Sequence, residues 1–167
     1  MANNCFQATR LPRRQDRAGG VTFGKRQAKM TLSELAGTLL NGFHDSEVDL
    51  IGIDYSKHEV TFSIAVWVGD PSSTDAEARE TYRKGTLTLS GMVFCIIEPP
   101  DPRYPYCEKD RIVVDTGEVK NLKKRPAVQL PPVPEGMFLN WIYVREWNSF
   151  IYVAAQNAAL AWNTGIT

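Results

Sequence analysis

The segment Phe43–Glu47 holds the residues of this chain that are best suited to chemistry, a histidine next to two carboxylates. An imidazole beside Asp45 and Glu47 could act as a general base or bind a metal ion, and a hydrolase that uses His44 in this way is one hypothesis. Adjacent side chains, however, do not point to one atom, and no second histidine stands at metal-ligand spacing. The competing interpretation is structural, with His44 and Asp45 capping the end of a helix and binding loop amides.

Other patterns that support catalysis or cofactor binding are absent from the sequence. There is no GxSxG nucleophile elbow, no GxxxxGK[ST] phosphate loop and no GxGxxG loop. The cysteines Cys5, Cys95 and Cys107 form no CxxC pair and no metal-binding spacing. We therefore expect no cofactor, no bound metal and no intrinsic catalytic activity.

Charge is divided unevenly along the chain. Residues 1–29 contain seven basic residues and one acidic residue, a net charge of +6, whereas residues 30–167 contain 12 basic and 18 acidic residues, a net charge of −6. The first part has no apolar periodicity, so it cannot bury enough surface to offset the entropy of ordering. We interpret residues 1–29 either as a basic disordered tail or as an extension that results from the choice of start codon. We expect residues 30–167 to fold as one domain.

No stretch of the sequence is suited to a membrane. The longest apolar run, Met92–Ile97, has the length of a strand, well short of the roughly 20 residues that a helix needs to cross a bilayer. The N-terminus is polar and basic and lacks the apolar core of a secretory signal. These features predict a cytoplasmic protein, and the odd number of cysteines suits that reducing compartment.

Aromatic residues are concentrated near the Pro-rich segments and in the C-terminal strands. They could form a core, a protein-binding surface or a stack for nucleic-acid bases. A base-stacking surface normally adds basic residues, and residues 30–167 are acidic, so we expect no nucleic-acid binding by the folded part. The six aromatic residues in question are Tyr104, Tyr106, Trp141, Tyr143, Trp147 and Tyr152.

One helix is predicted at the start of the folded part. Thr31 and Glu34 form a capping box, in which each side chain accepts a hydrogen bond from the other residue's backbone N–H. Apolar residues follow at helical spacing, and Asn41-Gly42 supplies a stop. The pattern predicts an amphipathic helix over residues 31–41.

The rest of the chain has the two-residue period of β-strands. The clearest strand, Val60–Val68, should form a hairpin with residues 47–54, and a second hairpin is expected around the turn Asn148-Ser149. Gly91 is predicted to bend a long β run. Because no helical crossovers separate the strands, neighbours must pair antiparallel. We predict a mainly β (α+β) fold, an antiparallel sheet or sandwich of six to seven strands with one N-terminal amphipathic helix, and leave residues 157–162 open between a bulged strand and a helical turn.

The segment Phe43–Val48, together with Ile51–Asp54 and the strand Val60–Val66, resembles small bacterial proteins that share an FHDxE motif. This group includes the immunity protein 50 family of polymorphic toxin systems and several relatives of unknown function. The similarity covers roughly residues 39–97. The resemblance implies a protein that neutralises a cognate toxin by binding it, and it implies no catalytic residue.

These observations favour a non-catalytic domain that binds a protein partner, of which a cognate toxin is one example. Toxin sites that handle nucleic acid are basic, so an acidic inhibitor would be steered towards them. A housekeeping protein of unknown role, such as a homodimer formed through a sheet edge, is the alternative. The partner-binding candidates are the polar residues His44, Asp45, Glu47 and Asp49 and the aromatic anchors Tyr104, Tyr106 and Trp147.

Overall fold

The computed structural model describes residues 29–104, 111–120 and 129–164. Within these ranges the chain forms two short helices and eight strands. Neither helix has the length or the apolar composition that crossing a membrane requires. The helices are α1 (Leu32–Gly37) and α2 (Ala76–Arg79). The strands are β1 (Ser46–Asp54), β2 (Glu59–Trp67), β3 (Tyr82–Ser90), β4 (Phe94–Ile97), β5 (Ile112–Glu118), β6 (Phe138–Val144), β7 (Ser149–Ala155) and β8 (Asn157–Trp162).

The eight strands form one antiparallel sheet in the order β4-β7-β6-β5-β1-β2-β3-β8. The predicted mainly β fold is therefore confirmed, and so are the hairpins β1–β2 and β6–β7. The predicted turn at Asn148-Ser149 is misplaced, because the chain turns through a 3-10 helix over Arg145–Trp147 and through Asn148, and Ser149 already pairs with Val144 in the sheet. The sheet has one strand more than the upper limit of the prediction. The extra strand is β8, the segment that the sequence pattern left open, which pairs along the whole of its length with β3. The short helix α2 was not predicted.

The strand pair β3–β8 continues through a bend into the strand pair β4–β7. This two-stranded ribbon connects the two ends of the sheet order. Gly91 has a φ of +65°, and an added Cβ there would lie 2.7 Å from the Cβ of Gln156, so a side chain at Gly91 is excluded by backbone conformation and by space. At this corner the Gln156 N–H donates to the Ser90 carbonyl (3.0 Å) and the Val93 N–H donates to the Ala154 carbonyl (2.8 Å). The predicted bend is confirmed, and it places β3 and β8 at one end of the order and β4 and β7 at the other.

Helix α1 begins as predicted and ends earlier. The capping box is present, with the Thr31 N–H donating to the Glu34 carboxylate (2.7 Å) and the Glu34 N–H donating to the Thr31 hydroxyl (3.1 Å). The predicted extent over residues 31–41 is wrong, because the backbone tightens after Gly37. The Thr38 N–H (3.0 Å) and its hydroxyl (2.7 Å) both donate to the Leu35 carbonyl, which satisfies the helix end without a further turn.

The residues that alternate along β2 form its buried face, which lies in the core. Its inward-facing residues, Val60, Phe62, Ile64 and Val66, are at most 3% exposed. Fully burying one such side chain stabilises the fold by about 1.5–3 kcal/mol. Leu32 of α1 is completely buried in the same cluster, because α1 lies against β8 and β6.

Residues just before α1 are tied to the last strand. The Ala158 N–H donates to the Met30 carbonyl (2.7 Å), and the Met30 N–H donates to the Asn157 side chain (2.9 Å). Met30 is therefore tied into the folded part of the chain. Residues 1–28 lie outside the described residues, so the tail interpretation stays a prediction.

The hydrogen bonds of the Asp54 carboxylate in the turn between β1 and β2 predict how this turn responds to pH. The Asp54 carboxylate accepts from the Ser56 hydroxyl (2.6 Å) and from the Ser56 and Lys57 N–H groups (3.0 Å each). These bonds, the Ser56 hydroxyl first, lower the pKa of Asp54 from 3.8 to about 2. Because the folded-state pKa is lowered, the stabilisation is present above pH 3.8 and is lost as the pH falls through 2. We expect an NMR titration to give Asp54 a midpoint near 2, and Ser56→Ala to raise it; an ordinary midpoint in the parent chain would contradict this turn geometry.

Candidate functional site

The candidate site lies where β5 extends past the start of β1. These two strands pair only between Ser46–Val48 and Ile112–Val114, whereas β5 continues beside β6 as far as Glu118. The connection from α1 to β1 turns away from β5 at this point. An open pocket of about 670 Å³ occupies the space between them. We call it the aromatic pocket; one wall comes from Ala36 and Asn41–His44, the other from Asp115, Thr116, Trp141, Tyr143 and Phe150.

Cross-strand register builds the aromatic wall. Asp115, Tyr143 and Phe150 stand directly opposite one another on β5, β6 and β7, so their side chains share the outer face of the sheet. The ring of Phe150 lies 5.0 Å from that of Tyr143 and 5.9 Å, edge to face, from that of Trp141. These centroid distances fall within the favourable range for aromatic pairs. The wall is therefore a contiguous aromatic surface with a carboxylate at the end of its row.

A glycine holds the indole of Trp141 in place. A Cβ at Gly117, the residue opposite Trp141, would lie 2.2 Å from the indole ring, so the ring covers this glycine directly. The indole N–H also donates to the Glu118 carbonyl (3.2 Å). The absent side chain and the hydrogen bond together fix the orientation of the largest ring of the pocket.

A polar cluster borders the pocket, and we call His44, Asp45 and Asp115 the acidic rim. His44 Nδ1 lies 2.9 Å from an Asp45 carboxylate oxygen and 3.2 Å from Asp115 Oδ1. The Asp45 N–H donates to the same Asp115 oxygen (3.2 Å). Asp45 has a φ of +52°, a left-handed conformation that aspartate tolerates better than most residues. The His44 side chain and the Asp45 backbone N–H thus meet the same Asp115 oxygen, and the His44 and Asp45 side chains contact each other although they are adjacent in the chain.

Arg145 neutralises one of the two rim carboxylates. Its guanidinium contacts Asp45 directly, whereas it lies 3.9 Å from Asp115. The hydrogen bond to Asp45 is the main reason that the pKa of Arg145 is raised. The negative charge of Asp115 is consequently the less compensated of the two.

The rim also has the donor types of a metal site. One atom each from His44, Asp45 and Asp115 lies within 4.8 Å of the others. However, the Arg145 guanidinium already binds Asp45, and a cation at that carboxylate would compete with a metal ion. We therefore assign no metal to the rim.

The other predicted site residues lie apart from the aromatic pocket. Glu47 is not beside His44, because its carboxylate pairs with Arg111 at 2.6 Å. Asp49 is exposed in a bulge of β1 between Val48 and Leu50. It lines a second, smaller pocket of about 290 Å³ together with Leu50, Arg111 and Trp147.

The aromatic anchors proposed from the sequence do not line the aromatic pocket where the structure describes them. Trp147 is partly buried against the core, and its carbonyl accepts from the Asp101 N–H (2.8 Å). Tyr104 is 49% exposed, in the turn that follows Asp101. Tyr106 lies outside the described residues. The structure thus places His44 in the wall of the pocket with Asp45 beside it, outside the lining, and leaves Asp49, Tyr104 and Trp147 elsewhere.

Sequence reasoning missed Asp115 and Arg145. They lie 70 and 100 positions from Asp45 in the chain, and no local pattern connects them to it. Trp141 and Tyr143 were recognised as strand aromatics, and the alternation along β6 places them on one face of the strand. Their position beside Asp115 depends on the pairing of β6 with β5.

Cys95 is unsuited to nucleophilic chemistry. It lies on β4 opposite Val153, partly buried against the core. Burial raises the pKa of its thiol to about 11, so the reactive thiolate is scarce at neutral pH. The other two cysteines lie outside the described residues.

Comparisons of the chain with protein-family models, with curated proteins and with solved structures find no match. The resemblance to proteins with an FHDxE motif therefore stays a prediction. The fold and the site define a mainly β antiparallel domain with an open, acid-rimmed aromatic pocket. Function has to be argued from that site, because a fold by itself does not specify one.

Proposed function

We propose that this chain is a non-catalytic protein-binding domain whose partner docks at the aromatic pocket. The observation that carries the proposal is the open pocket of about 670 Å³, which combines three contiguous aromatic rings with a carboxylate rim. Tyrosine and tryptophan are the residues most enriched among the anchors of protein interfaces. A cavity that is open on one side suits a protruding side chain of another protein.

The net charge of residues 30–167 supports a partner with a basic surface. Residues 30–167 carry a net charge of −6, and a field of this sign accelerates encounter with a basic surface at low salt. Together with the resemblance around Phe43–Val48, this favours a toxin that handles nucleic acid as the partner, with inhibition by occlusion of its basic site.

The proposal is tested by capture of the partner from the native host with the full-length chain. We expect Trp141→Ala to weaken retention of a specific protein at least tenfold, the effect of losing an interface hot spot. Tyr55→Ala is the matched control, because Tyr55 is 68% exposed at the far end of β1 and should retain the partner fully. Thermal melting of both variants verifies the fold. Equal retention by Trp141→Ala and the parent chain would place the interface elsewhere.

The nature of the partner has its own test. A cognate toxin should be encoded beside the gene for this protein, and purified toxin should lose activity when the chain is added in equal amount. If only the protein itself is recovered and no toxin-like gene lies adjacent, the homodimer alternative replaces the immunity hypothesis, and sedimentation of the pure chain then gives its oligomeric state.

One observation favours a second function, acid–base catalysis. Two carboxylates hold Nδ1 of His44 beside a pocket large enough for a small substrate. Glu47, which the sequence suggested as a partner of His44, is replaced in that role by Asp115. Among the described residues, no serine or cysteine lines the pocket, so a reaction there would use water or the Thr116 hydroxyl as the nucleophile. Turnover in a hydrolase screen that His44→Ala abolishes would support this function over binding.

A further inference from the structure

We infer that the side chain that enters the aromatic pocket is an arginine of the partner, with its guanidinium at Asp115 and over the rings of Trp141 and Tyr143. This inference rests on the proposed function and specifies the chemistry of the same site. Three independent features of the pocket carry it: the aromatic faces, the unequal neutralisation of the rim, and the charge of the whole domain.

The aromatic wall suits a planar cation. The faces of tryptophan and tyrosine attract a guanidinium through their ring quadrupoles, and arginine also stacks its flat head on such rings. Both rings are held rigidly, since the Trp141 indole covers Gly117 and the Tyr143 hydroxyl donates to the Asn148 side chain (2.9 Å). A rigid wall costs little conformational entropy when a ligand binds to it.

The rim leaves one carboxylate to meet an incoming cation. Asp115 Oδ1 accepts from the Asp45 N–H and is in reach of His44 Nδ1, both at 3.2 Å. Among the described residues its Oδ2 accepts no hydrogen bond, and the Arg145 guanidinium lies 3.9 Å from it. A guanidinium could therefore bind Oδ2 without displacing an existing hydrogen bond, and a charge-assisted bond of this kind is stronger than a neutral one.

The same charges argue against other occupants. An anionic group would be repelled by the Asp115 carboxylate, and a neutral aromatic side chain would desolvate that carboxylate without supplying a compensating charge. The net charge of −6 over residues 30–167 adds long-range attraction for a cation. Arginine is preferred to lysine because its fork of N–H donors matches a carboxylate and its plane matches the rings.

The test is a titration of the full-length chain with N-acetyl-arginine amide, followed by NMR of the Trp141 indole N–H. N-acetyl-citrulline amide is the matched probe, since it has nearly the same shape and no charge. We expect saturable shifts with arginine at a Kd on the order of 1 mM, as befits so small a ligand, and binding of citrulline at least tenfold weaker. Asp115→Asn, which keeps an accepting oxygen, should reduce the preference for arginine to less than twofold. Glu135→Gln removes the same charge at an exposed turn and should leave the preference unchanged.

The outcomes separate this inference from the proposed function. Equal binding of the two probes, absence of saturable binding by arginine, or an undiminished preference in Asp115→Asn would overturn the arginine assignment. If the host partner is nevertheless lost with Trp141→Ala, the pocket remains the interface and its occupant has another chemistry. Retention of citrulline binding by Asp115→Asn shows that the variant is folded and that the lost preference is due to charge.

Discussion

Replacing Phe43 by alanine is expected to lower the free energy of unfolding by about 4 kcal/mol, the usual cost of removing a phenylalanine from a core. Phe43 is 1% exposed, belongs to the main core cluster and also forms part of the wall of the aromatic pocket. Its removal leaves a cavity beneath the connection that carries His44. Urea denaturation of the parent chain and the variant measures the difference.

Leu40 provides the control for this prediction. It belongs to the same connection between α1 and β1, yet it is 70% exposed. Leu40→Ala should therefore change the free energy of unfolding by no more than about 0.5 kcal/mol. Equal effects of the two substitutions would show that Phe43 is not part of the core. If Phe43→Ala loses arginine binding under conditions where the variant is still folded, the wall of the aromatic pocket also depends on this ring.

Substitution of Gly69 by alanine is expected to cost about 3 kcal/mol, the upper end of the usual range for an overpacked site. A Cβ at this position would lie 1.9 Å from the Arg79 carbonyl oxygen and 2.6 Å from its carbonyl carbon. The obstacle is backbone, so no side-chain rotation relieves it. The same segment is held tightly, since the Gly69 N–H donates to the Thr81 carbonyl (3.0 Å) and its carbonyl accepts from the Asn41 side chain (2.8 Å).

Gly37 is the matched control for Gly69. It has an ordinary negative φ within α1, and nothing lies within 4 Å of a Cβ built there. Gly37→Ala should therefore stabilise the chain by about 0.5–1 kcal/mol, the difference in helix propensity between these residues. The two glycine variants should shift the urea midpoint in opposite directions. A destabilising Gly37→Ala, or a neutral Gly69→Ala, would contradict the backbone geometry described for these positions.

Much of the architecture follows from local sequence patterns. The two-residue period of β2, the capping box of Thr31 and Glu34 and the turn at Gly91 each depend on residues that are neighbours in the chain, so they were predictable. The extent of α1 was not, because bonds to the Leu35 carbonyl end the helix before the apolar period does. The identity of β8 also needed tertiary information, since an isolated short segment becomes a strand only when β3 supplies its hydrogen-bond partners.

In the candidate site, too, some features follow from local sequence and others only from tertiary structure. His44 and Asp45 were identified from the sequence because residue type and adjacency are local properties. Asp115, Arg145 and the aromatic wall reach them only because β5 pairs with both β1 and β6, and strand order depends on long-range hydrogen bonds that no local pattern encodes. By itself the sequence determined the class of fold and two of the three residues of the acidic rim. The tertiary structure decided that the rim borders a pocket, because only the pairing of distant strands places its second carboxylate beside the first.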